Sequence, residues 1–151
     1  MLPLAAMIDN QIYCVHAGAA DPYINSLDDI VAIDRRQKDL DEGPMSGMLF
    51  NYPCNGQTGF MIYHGSGYSY GQDTVERFSR QIGVDFICRS HNLKMDGYET
   101  MFGGALVSIW SAPNYCYRCG NLAAILELDE HLNKTYKVFT ASPESLKLAF
   151  R

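Results

Sequence analysis

The stretch "SAPNYCYRCGN", Ser111–Asn121, carries two cysteines spaced C-x-x-C, Cys116 and Cys119. That spacing fits half of a zinc site, a redox pair, or neither. A structural zinc site needs four ligands and so a second pair, yet Cys14, Cys54 and Cys88 are scattered singletons. A redox C-x-x-C opens a helix after a strand. This one lies between two apolar, strand-like runs, "ALVSIWSAP" and "LAAILELD". The pair is therefore expected to be neither zinc clip nor redox couple, and the loop calls for another explanation.

The rest of the chain sets bounds on that explanation. Its 151 residues suit one domain, and 47% hydrophobic against 19% charged residues supply a core and argue against disorder. Formal net charge is −5, from 12 basic and 17 acidic residues, with no basic run. Nucleic acid and anionic membranes are thus poor partners. No segment reaches the roughly 18 consecutive apolar residues of a membrane span. The opening "MLPLAAMIDN" lacks a basic leader and meets Asp9 at once, so no signal peptide is expected. Five cysteines without an export signal are expected as reduced thiols in the cytosol.

Patterning places the elements. "QIYCVHAG", Gln11–Gly18, reads as a buried strand. "NSLDDIVAIDRRQ" reads as a helix with Ser26 and Asp29 forming a capping box. Residues 39–71 are Gly-rich and loop-like. "DTVERFSRQIG" reads as a second helix, capped by Asp73 and ended by Gly83 in the left-handed position. "VDFICRSH" and "ALVSIWSAP" read as strands, and "LAAILELD" with "TYKVFTA" as a hairpin around "EHLN".

Chemistry-capable side chains follow strand ends. His16 in "CVHAG" and His91 in "CRSHN" stand where an imidazole at the mouth of a sheet ligates a divalent metal or simply satisfies local hydrogen bonds. Spacing alone leaves both readings open. His64 sits inside "FMIYHGSGYSYGQD", a loop with three glycines among aromatics. Such loops cradle phosphates through backbone N–H groups, or serve as aromatic surface loops; neither a G-x-x-x-x-G-K nor a G-x-G-x-x-G run supports a nucleotide site.

The quoted stretch resembles the late-chain signature of the phosphoprotein phosphatases, the two-metal serine/threonine phosphatases, and its "YCYRCGN" form is similar to the type 2A-like branch. "LPLAAMIDNQIYCVHAG", "SLDDIVAIDRRQ", "DEGPM", "GSGYSYGQD", "ICRSHNLKMDGYE" and "LVSIWSAPNYC" follow in family order, to about Phe139. The resemblance implies an α/β fold, the carboxyl-terminal half of the metallophosphatase β-sandwich flanked by helices. It implies that His16 and His91 ligate the same ion of a divalent pair (manganese, iron or zinc). Tyr115 and Cys116 then belong to the loop overhanging the phosphate site, and Arg89 to the structural arginine of C-R-A-H. Paired metals in the family activate a bridging water for in-line attack on phosphorus. Phosphoprotein substrates, regulatory or scaffold subunits, and a cytoplasmic or nuclear location are what it implies further.

The chain departs from the family where chemistry is concentrated. G-D-x-H-G, G-D-x-x-D-R-G and G-N-H-E are absent from the 151 residues. These supply most metal ligands, so residues 1–151 read as a partial catalytic domain lacking the family's first half. His64 stands where P-R-G-x-G-Y has arginine, and an imidazole cannot reproduce a guanidinium fork. Tyr52 replaces the aspartate of S-D-P, Phe60 the tryptophan of G-W-G, and Ala17 a glycine of H-G-G. Two functional readings follow: a metal-dependent phosphomonoesterase family member, inactive or incomplete as this chain alone, or a non-catalytic pseudophosphatase that binds regulatory or scaffold subunits.

Overall fold

Strand-forming segments whose side chains alternate between two apolar environments determine the architecture. The computed structural model describes residues 2–38, 40–62 and 67–143. Among them are ten strands: β1 (Ala5–Ile8), β2 (Ile12–Val15), β3 (Tyr52–Pro53), β4 (Phe60–Ile62), β5 (Tyr68–Tyr70), β6 (Phe86–Arg89), β7 (Asp96–Met101), β8 (Leu106–Ile109), β9 (Leu122–Leu128) and β10 (Lys134–Phe139). Three α-helices accompany them: α1 (Leu27–Val31), α2 (Pro44–Phe50) and α3 (Gln72–Ile82). The main sheet has seven strands in the order β1-β2-β6-β8-β7-β9-β10, and a small sheet has the order β3-β5-β4.

The centre of the main sheet is parallel. β2 pairs with β6 (Tyr13 opposite Ile87, Cys14 opposite Cys88), and β6 with β8 (Arg89 opposite Ser108). Period-2 alternation sends successive residues to opposite faces. Tyr13, Val15, Ile87 and Leu106 enter one core with Val75 and Phe78 of α3, Met48 of α2 and Tyr70 of β5. Ile12, Phe86, Val107 and Ile109 enter a second core on the other face, with Ala124 of β9. The expected α/β class is thus present as a large mixed sheet with few helices. No helix among the described residues is long and apolar enough to cross a membrane.

Several elements follow their local chemistry. Ser26 caps α1, accepting from Asp29 N while the Asp29 carboxylate accepts from Ser26 N. Gly83 closes α3 with φ +72, a conformation that costs glycine little. β9 and β10 pair antiparallel as the expected hairpin. Ala17 lies outside the left-handed region, so the alanine in "HAG" sits without backbone strain.

Other elements differ from the sequence reading. The expected long loop over 39–71 contains α2 and all three strands of the small sheet. α1 ends at Val31 rather than near Gln37, and Ile33 turns into the core. The α3 cap is the Gly71 backbone, while Asp73 spends its carboxylate on Gly59 N. β7, in "DGYETM", shows no clean apolar alternation in its sequence and is held by pairing with β8 on one side and β9 on the other.

Candidate functional site

Parallel register brings the two strand-end histidines together. β2 stops at Val15 and β6 at Arg89, and Ser90 N donates to His16 O at 2.9 Å. His91 then takes a left-handed backbone, φ +75, which is uncommon and strained for a residue with a Cβ. His16 Nε2 lies 3.0 Å from His91 Nδ1, so one imidazole donates a proton to the other. The rings meet edge to face with centroids 4.9 Å apart, and Phe50 flanks His91 at 5.9 Å. Burial, with His16 and Arg89 nearby, holds the His91 imidazole below its ordinary range. A neutral imidazole is the form that ligates a metal.

Arg89 fixes this geometry from beneath. It is 2% exposed. Its Nε donates to Ala17 O at 2.8 Å, Nη1 to Asn92 Oδ1 at 2.5 Å and Ser108 Oγ at 3.4 Å, and Nη2 to Asn51 O at 3.3 Å. None of the four acceptors is a carboxylate, and burial lowers the guanidinium pKa from its ordinary value. The arginine therefore ties the residue after His16, the residue after His91, the end of α2 and strand β8 to one point.

Asn51 extends the clamp. Its Nδ2 donates to Ala20 O and Asp21 Oδ2, each at 3.0 Å, and its Oδ1 accepts from Tyr68 N at 2.6 Å. Asp21 also accepts from Tyr23 N, and burial raises its carboxyl above the usual carboxylate range. α2 packs so closely here that a Cβ on Gly47 would stand 1.7 Å from Asp21 Oδ2, and one on Gly18 1.9 Å from Gly47 O. Neither Asn51 nor Asp21 stood out in the sequence, because their partners lie up to 31 residues away.

Tyr115 and Cys116 occupy a 3-10 turn, Tyr115–Tyr117, inside a loop with its own scaffold. Asn121 Oδ1 accepts from Tyr115 N at 2.8 Å, and its Nδ2 donates to Ala112 O and Leu122 O. Asn114 Oδ1 accepts from Gly120 N, and Asn114 N donates to Asn121 O. Trp110 stacks edge-on against Tyr115, centroids 4.7 Å apart. Tyr115 and Cys116 themselves are exposed. A recess of about 390 Å³ beside the turn is lined by Pro113, Tyr115, Cys116, Tyr117 and Ala141, among others. His64 lies outside the described residues.

The donor set falls short of the divalent pair that the resemblance implies. His16 and His91 offer two imidazole nitrogens, enough for part of one ion's shell. Among the described residues, no group of three or more His, Cys, Asp and Glu side chains is placed to hold a metal. A two-metal hydrolytic centre needs more ligands and negative charge than this pair supplies. The residues present therefore do not fit the pair of ions, and no hydrolytic step can be routed through them. All five cysteines are free thiols.

Residues 1–95 match the family model for calcineurin-like phosphoesterases. Among solved structures, the chain is similar to a Saccharomyces cerevisiae protein serine/threonine phosphatase described as having similarity to human phosphatase PP5. The TM-score is 0.82 and sequence identity 30%, over 93% of this chain and 48% of that one. The chain thus spans about half the length of that phosphatase.

Proposed function

The chain belongs to the calcineurin-like phosphoesterase family, and from that premise we propose that residues 1–151 form part of a serine/threonine phosphatase-type domain, similar to the type 2A-like branch, that does not hydrolyse phosphomonoesters by itself. His16 and His91 act as two nitrogen donors to a single divalent ion. The observation that carries this is the 3.0 Å imidazole pair, without a carboxylate companion among the described residues. Divalent metals do the phosphoryl chemistry in this family, and this chain contributes an anchor for one of them. Tyr115, Cys116 and His64 belong to the substrate side of the same site, and phosphoproteins would be the substrates of a completed domain.

The test uses purified chain with excess manganese or zinc. The expected outcome is no phosphate release from a phosphothreonine peptide above the protein-free blank. Calorimetry should show at most one ion per chain, lost in both His16→Ala and His91→Ala. Turnover that disappears in His91→Ala, or two ions bound per chain, would refute the proposal.

A second reading, a pseudophosphatase that docks regulatory or scaffold subunits, is favoured by one feature. The Tyr115–Tyr117 turn keeps exposed aromatic side chains on a well-bonded loop. A pull-down with type 2A-type regulatory and scaffold subunits that recovers none would count against it.

A further inference from the structure

Cys14 and Cys88 are Cα partners in the parallel register of β2 and β6. Directly paired residues on adjacent strands point to the same face, and both thiols pack against the second apolar core. Adjacent strands stand about 4.8 Å apart, within the roughly 4.4–6.8 Å Cα separation that a disulfide spans. The two side chains stand side by side across the strand pair and are only partly buried. Both line an open, mainly apolar groove of about 390 Å³ walled also by Ile8, Ile109, Ile125 and Leu128. A small neutral oxidant can therefore reach the sulfurs, which sit two residues before His16 and three before His91.

We propose that Cys14 and Cys88 form a reversible interstrand disulfide on exposure to hydrogen peroxide, making this pair, rather than the C-x-x-C, the oxidation site of the chain. One cysteine of the pair, as its thiolate, attacks one peroxide oxygen, the O–O bond breaks, and a sulfenic acid forms with release of hydroxide. The other thiol, its proton taken up by that hydroxide, attacks the oxidised sulfur. The S–S bond forms as the S–O bond breaks, and the sulfenic oxygen leaves as water once protonated. Two thiols lose two electrons and two protons, and one peroxide becomes two waters. The bridge would line an open groove and be only partly buried, and exposed disulfides are the readily reduced ones. The pairing does not depend on any metal or on phosphatase activity.

The experiment treats the purified chain with stoichiometric peroxide, alkylates remaining thiols and maps peptides by mass spectrometry. The expected result is a Cys14–Cys88 linked peptide, a loss of two of the five alkylatable thiols, and full recovery with dithiothreitol. Cys116→Ser/Cys119→Ser should form the same bridge at the wild-type rate, and Cys88→Ser should stop at the Cys14 sulfenic acid, trapped by dimedone. Wild-type chain whose Cys14 and Cys88 remain alkylatable after peroxide, or whose linked peptide joins Cys116 to Cys119, would overturn the proposal; this readout needs no variant to fold.

Discussion

The strand-end node around Arg89 and the loop Ser111–Asn121 carry the two candidate parts of one site, yet they are built in opposite ways. The node gathers Ala17, Asn51, Asn92 and Ser108 around a single buried guanidinium, with partners 3 to 72 residues away in sequence. The loop closes on itself through Asn114 and Asn121, whose bonds span at most nine residues. One region is held by the fold; the other is held by its own sequence. Damage to the node should spread through the molecule, while damage to the loop should stay local.

The largest effect that could break this comparison is Arg89→Ala. It strips three buried acceptors and one half-buried acceptor of a donor and should cost about 3 kcal/mol or more in urea unfolding. A loss under about 1 kcal/mol would mean the node is not the clamp described. Next comes Gly47→Ala, whose methyl collides with Asp21 Oδ2. Overpacking of this kind costs about 1–3 kcal/mol, and the amide exchange rates of residues 17–21 should rise with it. Unchanged exchange there would show that α2 and the strand-end segment are not in close contact.

Asn121→Ala probes the loop. Removing its three hydrogen bonds should cost about 1–2 kcal/mol, with chemical-shift changes confined to residues 110–122. Shifts reaching His16 or His91 would erase the distinction between the two regions. Cys116→Ser should change stability by less than about 0.5 kcal/mol, because the side chain is exposed; a larger loss in thermal melts would assign the thiol a packing role.

The same contrast explains what the sequence revealed. The loop was legible because the groups that shape it lie within or next to Ser111–Asn121, and the Ser26 cap and Gly83 terminus were legible for the same reason. The proximity of His16 and His91 could not be read from spacing, because it follows from parallel register across 75 residues; only the family resemblance implied it. α2 was hidden by its own composition. Proline and a central glycine in "PMSGMLF" read as loop, and only the close approach to Gly18 and Asp21 explains why Gly47 stands there. β7 and the small sheet were hidden because their pairing partners supply the order that their residues do not encode.

Arg89 also has a consequence in time. Its acceptors are separated from it by 72, 38, 19 and 3 residues, so several long chain loops must close before the guanidinium is fully satisfied. Loop closure is entropically costly and is recovered only when the distant contacts form. The imidazole pair above Arg89 should accordingly be among the last features to assemble during folding, and it would greet a metal ion as a finished surface rather than recruit one as a nucleus.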